Sequence, residues 1–372
     1  MLRRVVAHPL RPSYGPGRTH IESGVPRMTG TTRRRITQLG AAAAAGMVAA
    51  PMVARGQAKI RLRIQTHHSA ESVPGKIFLR FCKDVEEMSG GRVQIESFTS
   101  SAVVKSVETF DAASTGILDG DMTGAAYQPG KDAAFQAFGD MLGGYDSPDQ
   151  MQAWLDVGGG REIADPLYGK FGMVLVGFWG DPPESLVSIK PLRGLADLKD
   201  WKFRCPPGMQ TDIFVKLGAK PVVMDFGEVF TALQTKAVEG ADAGTLAVNK
   251  ALGLYEIATH TTYPGFHSMP QDHLAINKAK WDSLPADIKA IVKVALKKAA
   301  LDRWTATNLA NAEVARELVA KGVTLHAWSE TDRRAYREQA QAVWQSWAQR
   351  TPLAKQAFES SIAFMKRIGV LA

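Results

Sequence analysis

The sequence predicts an α/β protein of two discontinuous domains that face each other across a hinged cleft and carry extra C-terminal helices. Three observations predict it. Short β-type apolar runs alternate with helical periodicity from residue 60 onward. The run FGMVLVGFW at 171–179 is almost continuously apolar, as in a strand covered on both faces. The same rhythm restarts after Gly180-Asp181-Pro182-Pro183 and turns back toward the first unit around 263–274, so the chain crosses between units more than once.

Taken in order, the first strand is predicted at 60–66 and ends in Thr66-His67-His68-Ser69. Phe78, Phe81, Val85 and Met88 then form a helical stripe stopped by Gly90-Gly91. A strand at 93–98, a helix at 107–116 and a short strand near Met122 follow, with Ala126-Tyr127-Gln128 at a strand end. Gly158-Gly159-Gly160 reads as a polar turn with no strand before it, which argues against a phosphate loop. The second unit holds 185–190, a strand at 201–205, a helix at 209–217, a strand at 221–224, a helix around 228–235 and a strand near Ala241. A long helix at 286–321 is placed to brace both units, and 331–349 and 353–368 are amphipathic helices. The expected boundaries are an N-terminal extension over 1–58, a first domain of 59–180 plus 270–320, a second of 181–269, and C-terminal helices over 321–372.

The formal charge of +8 belongs to the amino terminus. Nine of the 45 basic residues and one of the 37 acidic residues fall in 1–58, which leaves 36 of each in the remainder. The rest of the chain is neutral, so no nucleic-acid partner is expected. Thr32-Arg33-Arg34-Arg35-Ile36 precedes an alanine-rich run over 39–54, the pattern of a twin-arginine export signal cleaved between Ala54 and Ala58. A periplasmic location follows. Cys82 and Cys205 fall on separate units without metal-ligand spacing, and two buried free thiols are expected.

Arg204 stands out. It ends a predicted strand just before Pro206-Pro207, among apolar and aromatic neighbours. A buried guanidinium needs a partner, and its planar fork fits a carboxylate best. The alternative is an internal ion pair with Asp225 or Glu228.

Around it run Asp197-Leu198-Lys199, Lys202 and Arg204, then Leu217-Gly218-Ala219 and Pro221-Val222, then GEVFTALQTKAVEG from Gly227 to Gly240. This spaced pattern resembles the solute-binding proteins of tripartite ATP-independent periplasmic (TRAP) transporters, the DctP-like family, and within it the keto-acid and organic-acid binding branch. The resemblance implies a periplasmic-binding-protein-like fold, with Arg204 clamping the ligand carboxylate. It also implies a Na⁺ or Ca²⁺ ion bridging protein and ligand at Asp242, with Glu184 and the backbone at Ala243 as further ligands. Ala243 replaces a tryptophan of the keto-acid binders, and Asp242 is shorter than their glutamate. No cofactor beyond that cation is implied. The implied partners are a small organic acid, a monocarboxylate or keto acid, and the TRAP membrane permease subunits.

Strand ends add further candidates, because open α/β sheets bind ligands there. These are Tyr127, His67, Phe178, Trp179, Phe266 and His267, with Gln210 and Asn249 as weaker options. His67 and His68 are neighbours on a strand and should point to opposite faces, which disfavours joint chelation. No nucleophile elbow, Cys–His signature or HExxH occurs, so the chain reads as a carrier, not an enzyme. Three readings compete with this one: an ABC-type solute receptor, a sensor receptor of the same fold, and a secreted enzyme acting on a small organic acid.

Overall fold

A computed structural model describes residues 59–371; the predicted export signal lies outside them. The strands in chain order are β1 (Ile60–Gln65), β2 (Val93–Phe98), β3 (Gly120–Asp121), β4 (Met173–Gly180), β5 (Val187–Ser188), β6 (Lys202–Cys205), β7 (Lys220–Val223), β8 (Gly240–Ala241), β9 (His260–Thr262), β10 (Gln271–Asn277) and β11 (Thr324–His326). They form two sheets, ordered β2-β1-β3-β10-β4 and β11-β9-β5-β8-β6-β7. β10 returns to the first sheet and runs antiparallel to both β3 and β4. The chain therefore passes between sheets just after β4, again just before β10, and a third time between β10 and β11, consistent with the expectation of more than one crossing.

Local chemistry explains the elements. The helix Val73–Met88 starts where the Ser72 hydroxyl accepts from the Gly75 amide, with Pro74 in its first turn. It ends at Gly90 and Gly91, which both adopt positive φ. Its apolar stripe, Phe78, Phe81 and Val85, is fully buried against β1 and the helix Ala286–Ala320. That helix has 35 residues, long enough to reach about 50 Å at 1.5 Å per residue. Its first half packs on β4 and its second half on the helix Leu246–Ala251 of the other lobe. One rigid rod thus touches both sheets.

Several expectations change. Residues 324–326 form β11, which pairs in parallel with β9, inside a stretch assigned wholly to C-terminal helices. Strands of three residues carry too little alternation to be seen in sequence. The glycine triplet joins two helices, Pro148–Val157 and Gly160–Gly169, through Gly159 at φ +104°. Residues 125–127 form a short helical turn rather than a strand end. Two helices close the chain. Glu330–Ala348 is capped by Ser329 and packs on the second lobe. Pro352–Arg367 is capped by Thr351 and packs on the first. Cys82 and Cys205 are free and buried, and burial pushes the Cys205 thiol up to about 11.

Candidate functional site

Between the lobes lies a cavity of about 60 Å³. The space is enough for a few waters or a small acid. Arg204 sits on its second-lobe wall. β6 pairs with β7 on one side and β8 on the other. Strand alternation sends Phe203 and Cys205 into the core, where Phe203 stacks on Trp201 with centroids 4.2 Å apart. Arg204 therefore faces the opposite way, into the cavity. It is 2 % exposed. Its Nε donates to the Met224 carbonyl at 3.2 Å and Nη1 to the Asp242 carbonyl at 2.6 Å, while the Phe226 ring lies 5.7 Å from the guanidinium carbon. Among the described residues no carboxylate pairs with it. Asp225 instead accepts from Ser106, and Glu228 from Lys105. Both contacts join the two lobes. The internal ion pair considered from sequence is absent, and the second Nη is left facing the cavity.

Carboxyl groups gather on the adjoining wall. Asp140, Glu184 and Asp242 all line the cavity. The Ser268 hydroxyl lies 2.6 Å from Asp140 Oδ2 and 2.7 Å from Glu184 Oε2. One hydroxyl has one proton to give, so one of these carboxyls must donate in its turn. Electrostatics agree. Burial pushes the Asp140 carboxyl up to about 7, against the Ser268 and Met269 hydrogen bonds. Burial, then the Asp242 charge, raises Glu184 well above the usual carboxylate range.

This arrangement has a measurable consequence. A carboxyl whose folded pKa is raised contributes stability that is complete below its unfolded pKa, about 4, and is lost as pH rises through about 7. Thermal unfolding of the ligand-free, chelator-treated protein should therefore show stability falling over that window. Asp140→Asn should flatten part of the fall. Identical pH profiles for the two proteins would mean that Asp140 is ionised throughout.

The remaining candidates divide. Tyr127, His67, Gln210 and Ala243 line the cavity. His68 does so too, its ring 3.9 Å from that of His67. The opposite-face expectation is overturned because β1 ends at Gln65 and the pleat no longer applies. Burial and neighbouring His68 hold His67 well below the ordinary imidazole value, so it is neutral. Phe178 and Trp179 do not line the cavity. β4 is covered on both faces, so Phe178 packs near Phe138 in the core and Trp179 lies under Arg303. Phe266 packs on Trp328 at 4.5 Å and faces a separate recess beside Arg333 and Arg337. His267 is fully buried behind the wall, its Nε2 3.2 Å from Asp242 Oδ1. Asn249 donates to the Ser185 and Gly244 carbonyls and is structural.

Sequence reasoning missed the hinge network. Arg303, from the long helix, grips Asp181 through Nε at 2.8 Å and Nη2 at 2.5 Å, and Asp272 through Nη1 at 2.7 Å. It stacks 4.2 Å from the Trp179 ring, and Asp272 also holds His68 at 2.8 Å. Burial works to raise the Asp272 carboxyl, yet the Arg303 charge and the His68 hydrogen bond keep it far below the ordinary range. One signal was available: the buried stripe Val292, Leu296, Ala299 continues at helical spacing through Arg303 and Thr307, placing an arginine on a core face. Gln136 was also missed. It donates to the Ala126 carbonyl and accepts from the Met209 amide, tying the lobes together. Gly208, at φ +118°, is required there because a Cβ would lie 2.2 Å from Gln136 Oε1.

A two-lobed α/β protein with a polar interdomain cleft and a free buried guanidinium defines a small-molecule binding protein. Residues 64–351 match the model of the bacterial extracellular solute-binding proteins, family 7 (DctP), and the chain belongs to that family, the TRAP solute receptors. A monocarboxylate 2-oxoacid-binding periplasmic protein of Nostoc sp. is 28% identical over 289 residues, 77% of this chain and 79% of that protein. A TRAP periplasmic solute-binding protein from Rhodobacter sphaeroides, solved in an open ligand-free state, is 31% identical with a TM-score of 0.67, covering 84% of this chain and 99% of that one. A TRAP solute-binding protein from Bordetella bronchiseptica, with calcium and picolinate bound, shares the fold at TM-score 0.77 and 21% identity, over 83% and 93% of the two chains. The chain is thus a TRAP-type receptor for organic acids, from a family whose members are periplasmic.

Proposed function

We propose that this receptor captures a monocarboxylate or keto acid by a bidentate Arg204–carboxylate pair and delivers it to a TRAP permease in the periplasm. The single observation that carries the reading is Arg204 itself. It is a buried, cavity-facing guanidinium held in place by two carbonyls and paired with no acid among the described residues. Such a charge is stabilised by an incoming planar anion. Among the described residues one unpaired guanidinium faces the cavity, since Arg303 is spent on Asp181 and Asp272. One carboxylate is therefore clamped, not two. The name of the Nostoc relative is consistent with this class.

A Na⁺ or Ca²⁺ ion at Asp242 and Glu184 is part of the proposal. The residues fit one: Asp242 Oδ2 is buried without a partner, and donor atoms of Glu184, Asp242 and His267 lie within 4.8 Å of one another. Hard cations prefer such oxygen-rich sets. Ala243 adjoins them on the lining and is the further candidate. When bound, the ion would offset the carboxylates and offer its charge to a 2-oxo oxygen.

Calorimetry tests both parts. Monocarboxylates and 2-oxo acids should bind more tightly than C4 dicarboxylates, and Ca²⁺ should tighten 2-oxo acids relative to chelator. The gain should grow as pH rises through about 7, because the ion competes with the proton shared around Asp140 and Glu184. Equal affinity in Ca²⁺ and in chelator removes the cation. Failure of every carboxylate to bind removes the receptor reading.

A further inference from the structure

Two half-buried histidines meet at the edge of the second sheet and take no part in the cleft. β9 and β11 run parallel, with His260 opposite Thr324 and His326 opposite Thr262. Both histidines therefore stand on one face, a step apart along neighbouring strands. His260 Nδ1 lies 3.1 Å from His326 Nε2, with ring centroids 5.2 Å apart. Two imidazole nitrogens at this distance share one proton between them. An ion held at about 2.0–2.1 Å from two nitrogens 3.1 Å apart subtends an angle of roughly 100°. That lies between the octahedral and tetrahedral values.

We propose that His260 and His326 bind one borderline divalent transition ion, Zn²⁺, Ni²⁺ or Cu²⁺, which pins β11 to β9. Imidazole pairs select such ions over Ca²⁺ or Mg²⁺. The charged groups facing the pair are Arg193 and Asp197, from the turn after β5. Arg193 is exposed and bound mainly to Asp197, at 3.3 Å. It stays with Asp197, whose carboxylate also accepts from the Arg193 backbone amide at 2.7 Å, so the protein supplies two ligands. Each ring turns to aim its lone pair at the ion, and its proton sits on the outer nitrogen. Water fills the remaining positions. The cleft histidines are poorer ligands, because Arg303 lies 3.0 Å from His68 Nε2.

The test is titration of the untagged full chain with Ni²⁺ or Zn²⁺ by calorimetry, in the presence of excess Ca²⁺. One ion should bind per chain, and either His260→Gln or His326→Gln should weaken it by about tenfold or more. An ion that fails to bind, or that binds both variants as it binds the parent, overturns the proposal. A readout on the parent protein stands even where a variant fails to fold. Zn²⁺ should protect His260 and His326 from carbethoxylation, read residue by residue by mass spectrometry. Rings modified equally with and without Zn²⁺ sink the site.

Discussion

Arg204→Ala should abolish organic-acid binding while leaving the fold intact. Truncating one partner of a buried charge pair costs about 2–5 kcal/mol, roughly 30- to 5,000-fold in Kd. The upper part of that range is expected, since no other unpaired guanidinium among the described residues lines the cavity and its next wall is lined by Asp140, Glu184 and Asp242. Without Arg204, a ligand carboxylate would lie beside the Asp242 carboxylate with no free guanidinium to offset it. Arg204→Lys should recover little. An ammonium has no planar fork, and it cannot hold both the Met224 and Asp242 carbonyls while presenting two donors to a ligand. Melting temperature without ligand should fall modestly, because the Met224 and Asp242 carbonyls lose a donor but no acid loses a counter-charge. Unchanged affinity in Arg204→Ala would remove the clamp from the mechanism.

Arg303→Met should be the most destabilising single change. It leaves Asp181 and Asp272, 2 % and 3 % exposed, facing each other without a counter-charge. Breaking a buried ion pair by removing one partner costs about 3–5 kcal/mol. The linkage has a definite sign. Asp272 is depressed in the folded state, so its contribution is present above the unfolded pKa of about 4 and is lost as pH falls below it. Arg303→Met should therefore unfold at lower temperature near neutral pH, and the deficit should shrink in acid. Adding Asp181→Asn and Asp272→Asn to it should restore much of the loss. A triple variant as unstable as the single one would point to lost packing on Trp179 instead. Arg303 touches two of the crossings, Asp181 after β4 and Asp272 in β10, so it ties the two connecting segments together. Ligand affinity should change in Arg303→Met, though less than in Arg204→Ala.

Much of the fold was legible because local pattern and tertiary role agree. The helix after β1 announces itself through its apolar stripe and terminal glycines, and β4 through its unbroken apolar run. The placement of Arg204 followed from the same logic: a charge in a half-apolar strand must face something polar. What misled was treating aromatic residues at strand ends as cleft walls. Phe178 and Trp179 obey the same alternation, but both faces of β4 are covered, by the long helix on one side and the Phe138 core on the other.

By itself the sequence determined the α/β class and the family and singled out Arg204, because each is written in residues close together along the chain. Only tertiary structure decided which acids meet. Asp140 and Ser268 are 128 positions apart, and Asp181 and Arg303 are 122 apart. No local pattern reports that Arg204 is free while Arg303 is spent. Whether a buried charge anchors a ligand or a hinge depends on partners that folding brings in from distant segments, and that pairing sets its energy.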